Sequence, residues 1–269
     1  MMLFQQAAPV APPGSLADPT NVGITLVIVA GLVFAARSRS ILDGSGIMVA
    51  TLLGVVVGLA GHWSWLVLLL TFLLSGHLVT KWRLDEKLSM GMGESSDGHR
   101  SWRNVVANGG VPGAVAAITP WWSTFGFSTA ESLTYVFAAG VAVAAADTFA
   151  SEVGCLDRRV RMITTFRRCD PGINGGVSRS GQVAAGLGGG IIAIITGLAM
   201  LAFGWAPITG ALIGAISIAL IGFLGCQVDS LLGALLENRG WLTKQQVNVL
   251  ATGSGVLMCG ILVLWGWLA

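Results

Sequence analysis

The sequence predicts an all-α fold: a polytopic transmembrane bundle of about eight helices, seven being the alternative count, with the N-terminus outside and the polar loops cytoplasmic. Three observations predict it. Hydrophobic residues make up 54% of the 269 positions and charged residues only 10%, where a soluble domain carries about 25% charge; mean hydropathy is +0.77. Apolar stretches recur along the chain at lengths near the roughly 20 residues that span a bilayer core. All fifteen Lys and Arg fall between these stretches so that alternate crossings leave every one of them on the same side. The positive-inside rule asks for a bias, and this is complete segregation.

Residues 1–20 hold Pro9, Pro12, Pro13 and Pro19, with no basic n-region and no continuous apolar run, and read as a flexible outside tail rather than a cleaved signal peptide. Residues 21–269 read as one integral-membrane domain. Its apolar segments are 21–36, 44–61, 62–80, 105–122, 132–146, 183–205, 206–226 and 247–268. The first two and the fifth are short, so their ends are soft. An outside N-terminus places Arg37 and Arg39 inside, then the loop from Lys81 to Arg103, the loop from Arg158 to Arg179, and the turn holding Arg239 and Lys244. Glycine, 38 of 269 residues, allows close helix contact at Gly54 and Gly58 and along 186–190. Trp63, Trp65, Trp121, Trp122, Trp205, Trp265 and Trp267 lie near segment ends, as an aromatic belt does.

A net charge of +2 gives no case for nucleic-acid binding. Eleven of the thirteen acids share the inside face with the basic residues, leaving Asp18 and Glu131 outside. A purely basic rim points to lipid headgroups; the mixed face points to a phosphate site with a divalent cation. Cys155, Cys169, Cys226 and Cys259 match no zinc spacing and read as reduced thiols, and His62, His77 and His99 are too far apart to suggest a metal cluster.

The inside loops carry the chemistry. In the first, Gly91, Gly93 and Gly98 make a flexible middle. Arg100, Asn104 and Asn108 then follow at i, i+4 and i+8, one stripe of a helix that starts near Arg100. Polar groups entering lipid face the bundle or a water-filled site; the competing reading of the asparagines is interhelical hydrogen bonding. Lys81, Arg83 and Lys87 read equally well as interfacial anchors. In the second, AADTFASEVG (145–154) ends an apolar run at Asp147. A carboxylate there needs a partner, Mg²⁺ or an arginine. Glu152 lies about 140° round the helix from it. Downstream come five arginines within 158–168, then Gly172, Asn174, Gly175, Gly176, Ser178, Ser180 and Gly181 leading into a helix. These are exposed amides and hydroxyls suited to phosphate, although the Walker A pattern is absent. In the third, Asp229 follows an apolar helix as Asp147 does, so the two could share a metal; a capping role is the alternative.

WRNVVANGG (102–110), AADTFASEVG (145–154), PGINGGVSRSG (171–181) and VDSLLGALLE (228–237) resemble, in order, the signatures of an integral-membrane family, domain of unknown function 92, which includes plant phytyl-phosphate kinase. The resemblance implies a membrane-embedded prenyl phosphate kinase using Mg²⁺ and a nucleotide, CTP ahead of ATP, on an isoprenoid lipid phosphate. It implies Asp147 as metal ligand assisted by Asp229 or Glu152. Asn174, Gly175, Gly176 and Ser178 would hold nucleotide phosphates, and Arg103, Asn104 and Asn108 would meet the nucleotide or acceptor phosphate. Mg²⁺ and arginines would offset repulsion between the two anions. The chain departs from the family pattern at Asn104 and Glu237, where glutamine is frequent, which leaves the nucleotide open. Nucleotidyl transfer to make a CDP-lipid, and transport, are the rival activities.

Overall fold

The computed structural model describes residues 18–92, 100–121 and 130–268. Among them lie eight long helices, α1 (Pro19–Ser38), α2 (Gly44–Ala60), α3 (Trp63–Lys81), α5 (Trp102–Ile118), α6 (Ala130–Gly154), α7 (Arg179–Ala202), α8 (Ile208–Leu235) and α9 (Lys244–Leu264). A short α4 (Leu84–Ser89) and an antiparallel pair, β1 (Arg161–Met162) with β2 (Gly176–Val177), complete the regular structure. Six helices are long and apolar enough to cross a membrane: α1, α3, α6, α7, α8 and α9. α2 is apolar but has 17 residues. α5, also 17 residues, contains Pro112, which packs against α6 at Gly140.

α6 is the hub. Its apolar run is built of Ala, Gly and Val, so it presents no polar face and no bulk. A helix apolar all round belongs in the middle of a bundle. Its membrane-length span is 83% buried, and it packs against α3, α5, α7, α8 and α9. Close approach is enforced at Gly188 of α7, where a Cβ would sit 2.6 Å from the Ala145 carbonyl oxygen. The outward faces of α7 and α8 carry exposed Leu187, Ile194, Leu212, Ile216 and Leu220, as a lipid-facing surface requires.

Contacts at the two ends of the bundle have different chemistry. At one end Asn21 Nδ2 donates to the Gly58 carbonyl oxygen at 2.8 Å, Tyr135 Oη donates to the Gly210 carbonyl oxygen, and the rings of His62, Phe203 and Trp205 pack together. At the other, the Arg100 amide donates to the Ile41 carbonyl, the Asp43 amide donates to the Arg100 carbonyl, and Lys87 meets Glu152. The basic residues gather at this second end.

Three boundaries differ from the sequence expectation. α1 begins at Pro19, inside the expected tail 1–20, because Asp18 caps it by accepting from the Thr20 amide. α6 runs on to Gly154 and α8 to Leu235, past the ends of the apolar segments at 146 and 226, so Asp147 and Asp229 lie within helices. Hydropathy marks where apolarity stops, whereas DTFASEVG and DSLLGAL still favour helix. The chain 84–89, expected as part of a flexible loop, is helical. Gly93, Gly98, His99 and Trp122 lie outside the described residues.

Candidate active site at the charged end of the bundle

α6 and α8 bring Asp147 and Asp229 together at the charged end, near enough to hydrogen-bond through their side chains. Asp229 Oδ2 is buried and has no hydrogen-bond partner. Two carboxylates meeting in a largely desolvated place repel one another and are costly to ionise without a counter-charge. They form the floor of a cavity of about 500 Å³. Ser151, Glu152, Ser230, Glu237 and Lys244 also line it, and one wall is the glycine loop from Pro171 to Ser178.

The loop is held by its own pairing and by α8. β1 and β2 join Arg161 to Val177 and Met162 to Gly176. Gly175, at φ +81°, rests on α8, where a Cβ would come 2.8 Å from the Ser230 carbonyl oxygen; left-handed backbone in so close a contact admits only glycine. The Asn174 carbonyl oxygen accepts from Asn238 Nδ2 at 2.9 Å, and its side chain bonds Glu237. Ser178 caps α7, its hydroxyl accepting from the Gly181 amide at 3.1 Å. Gly172, Asn174, Gly175, Gly176, Ser178 and Gly181 thus all line the cavity. Gly175 and Gly181 have packing reasons to be glycine as well, since a Cβ on Gly181 would lie 3.1 Å from the Ala150 carbonyl oxygen.

Asp157, just past the end of α6, ties that stretch to the start of α7. Its carboxylate accepts from the Arg159 amide at 2.8 Å and the Ser180 hydroxyl at 2.9 Å. Those two bonds favour the charged form and hold its pKa below the usual carboxylate value, against a smaller opposing effect of burial. A depressed carboxylate stabilises the fold above its unfolded pKa and loses that contribution as pH falls through the folded pKa. The melting-temperature gap between wild type and Asp157→Asn is therefore expected to be constant near neutrality and to close below about pH 4, as thermal unfolding in detergent across a pH series would show.

Beyond Asp147 lies a recess of about 30 Å³ lined by Arg100, Asn104, Asn108, Ser151, Glu152, Lys244 and Asn248 among others. Asp147, Ser151, Glu152 and Lys244 line both spaces, so the two are neighbours that share a wall. The Arg100, Asn104, Asn108 stripe expected from spacing thus lines one wall, although α5 starts at Trp102 and Arg100 precedes it. Asn108 lines the recess, and its Oδ1 accepts from Asn248 Nδ2 on α9 at 3.4 Å, an interhelical hydrogen bond.

One placement differs from the expectation. Arg103 lines neither space. It is exposed, stacks over the Trp102 ring at 5.7 Å, and faces an outer groove, because it lies about 100° round α5 from Asn104. Arg100 takes the position beside the asparagines. The five arginines of 158–168 are all exposed and none lines the cavity. The tight turn that puts Phe166 at φ +55° directs the Arg161 guanidinium to the Phe166 carbonyl at 2.8 Å. Glu152 lines both spaces, but Thr80 Oγ1 donates to its Oε1 at 2.8 Å and Lys87 Nζ to its Oε2 at 2.7 Å. Both of its carboxylate oxygens are thereby engaged.

Lys87 was not singled out by spacing. Its side chain is 1% exposed, and it also donates to the carbonyl oxygens of Val79 and Thr80 at 2.9 and 3.1 Å. Those carbonyls belong to the last turn of α3, where a cation is favoured. No local pattern separates Lys87 from the anchor-like Lys81 and Arg83. Lys244, the one basic residue among the described residues that line the main cavity, is placed by the capping box that Thr243 and Gln246 form at the start of α9.

The fold and this site define a multi-pass integral membrane protein with a polar, acid-lined chamber at one end of its helix bundle. The chain belongs to the family described as integral membrane protein DUF92, which it matches over residues 27–256. It is 33% identical over 245 residues to uncharacterized membrane protein MJ0933 of Methanocaldococcus jannaschii, covering 89% of this chain and 93% of that one. It is 31% identical over 236 residues to protein PGR of Arabidopsis thaliana, covering 81% and 80%. With protein VTE6, chloroplastic, of the same plant it shares 25% identity over 234 residues, covering 84% and 68%. No solved structure matches it.

Proposed function

We propose that this protein is a membrane-embedded prenyl phosphate kinase, transferring the terminal phosphate of a nucleoside triphosphate, CTP ahead of ATP, to an isoprenoid monophosphate at the cytoplasmic face. The observation that carries the reading is the Asp147–Asp229 pair with its unpartnered oxygen, set in a chamber walled by the glycine loop. Membership of a family that includes plant phytyl-phosphate kinase supports it, and the segregation of basic residues supports the cytoplasmic side.

The donor set fits a divalent cation. Two facing carboxylates, one oxygen without a partner, and Lys244 as the lone basic residue among the described lining residues leave a polyphosphate with too little positive charge. Mg²⁺ is satisfied by one or two carboxylates with the remaining positions given to phosphate and water. When bound, it supplies charge neutralisation for the triphosphate and its leaving oxygen. Asp147 and Asp229 would hold it. Asn174, Gly175, Gly176 and Ser178 would hold the nucleotide phosphates, Lys244 would neutralise charge between donor and acceptor, and Asn104 and Asn108 would orient the acceptor.

The chemistry asks for positioning rather than covalent work by the protein. An oxygen of the acceptor phosphate bonds to the terminal phosphorus of the nucleotide. The bond from that phosphorus to the bridging oxygen breaks, and the nucleoside diphosphate leaves with the electron pair. The acceptor is already ionised, so no strong general base is required.

The test is product analysis on purified protein with Mg²⁺, CTP or ATP, and a panel of prenyl alcohols and monophosphates. Prenyl diphosphate together with nucleoside diphosphate is the expected result. A CDP-lipid with pyrophosphate would replace the kinase reading with nucleotidyl transfer. Neither product, in folded protein that binds no nucleotide, would overturn both.

A further inference from the structure

A third space adjoins the recess and has the opposite chemistry. It is an apolar cleft of about 60 Å³ among α1, α2, α3 and α5, lined by Leu32, Ala50, Leu53, Leu69 and Phe72, with Arg100 and Asn104 at its polar end. Arg100 and Asn104 line the recess too, so chamber, recess and cleft lie side by side, Asp147 bordering the first two and Arg100 the last two. Arg100 is fixed where these chemistries change. Its guanidinium lies over the Phe72 ring at 5.6 Å, within 3.2 Å of the Cβ position of Gly76, and Nη2 donates to Thr80 Oγ1 at 3.4 Å. A Cβ at Gly76 would require the guanidinium to give by a few tenths of an ångström.

The geometry points to this cleft as the acceptor-lipid subsite: Arg100 and Asn104 bind the monophosphate, and the cleft grips the first part of the apolar tail. The inference rests on the kinase reading and assigns the two anions, the nucleotide to the large chamber and the lipid phosphate to the recess. A cation and an amide at the mouth of an apolar slot recognise one class of molecule, an amphiphile with an anionic phosphate head. The cleft runs from the charged end towards membrane depth, since Ala50 and Leu53 lie two and three turns into α2 and Phe72 lies mid-way along α3. Its small volume selects for the segment next to the phosphate and leaves the rest of the tail to surrounding lipid. Ala50 lines the cleft with a small side chain, so added bulk there would fill part of it.

The test uses the full-length protein in detergent micelles with a prenyl monophosphate bearing a photoreactive diazirine near its first isoprene unit, followed by mass mapping of the labelled peptide. Label is expected in α2, α3 or α5 around Ala50, Phe72 and Val105, competed by unlabelled prenyl monophosphate but not by inorganic phosphate or prenyl alcohol. Label on α7 or α8, or equal competition by the alcohol, would overturn the assignment. Ala50→Phe is expected to raise the acceptor KM by about ten- to a hundredfold with the nucleotide KM unchanged. Arg100→Lys is expected to retain more labelling than Arg100→Ala. Cleft labelling in a protein that makes no prenyl diphosphate would sink the kinase reading and leave the subsite standing. Turnover with label elsewhere would do the reverse.

Discussion

In Asp147→Asn, kcat is expected to fall about 10²–10³-fold, the scale of removing one preorganised electrostatic element from a transition state, while the helix bundle stays folded. The stability readout should move the other way. Asp147 and Asp229 face each other with one oxygen unpartnered, so converting either to an amide removes like-charge repulsion, and the chelator-treated variant should melt no lower than wild type. Added Mg²⁺ should raise the melting temperature of wild type, by binding only the folded state, and should barely move Asp147→Asn or Asp229→Asn. Melting curves with EDTA and with Mg²⁺, beside turnover, separate a metal-site role from a structural one. An activity loss with the Mg²⁺-induced rise intact would remove Asp147 from the metal assignment.

Lys87→Met is expected to destabilise the fold by about 3–5 kcal/mol, the cost of breaking a buried ion pair and leaving its partner charged. Lys87 is almost wholly buried, and it holds three acceptors: Glu152 Oε2 and the carbonyl oxygens of Val79 and Thr80. Methionine fills the volume and satisfies none of them. The diagnostic is the double variant. Lys87→Met with Glu152→Gln removes the stranded charge, so it should recover a large part of the loss, whereas additive losses would mean the pair is not coupled. Because Glu152 lines both the chamber and the recess, the single variant should also lower activity through displacement of the α6 end. Denaturant titration of the single and double variants, with turnover measured on the same samples, tests both statements.

Crossing segments and clustered charges were legible from the sequence alone, because a bilayer reads one-dimensional quantities: the length of an apolar run and the side on which each cation falls. Asp147 and Asp229 also stood out early, since a carboxylate at the end of an apolar run is conspicuous wherever its helix packs. Tertiary structure decided what those residues meet. Helical periodicity gives the face on which a residue lies but not the neighbouring helix, so the pairing of α6 with α8, and with it the Asp147–Asp229 contact, was not written locally. The arginines of 158–168 stand next to the glycine loop in the sequence, yet all five are exposed, Arg161 turned onto the Phe166 carbonyl. Arg100 and Arg103 differ by three positions, yet the backbone bridge from Leu42 to Arg100 sets one over the recess while the helix carries the other away. Lys87 became the buried partner of Glu152 because α4 folds back on the end of α3, a path that hydropathy does not encode. The sequence specified a membrane bundle with its polar chemistry at one end; packing alone specified which charges share a cavity, because burial and partner choice depend on residues far apart in the chain.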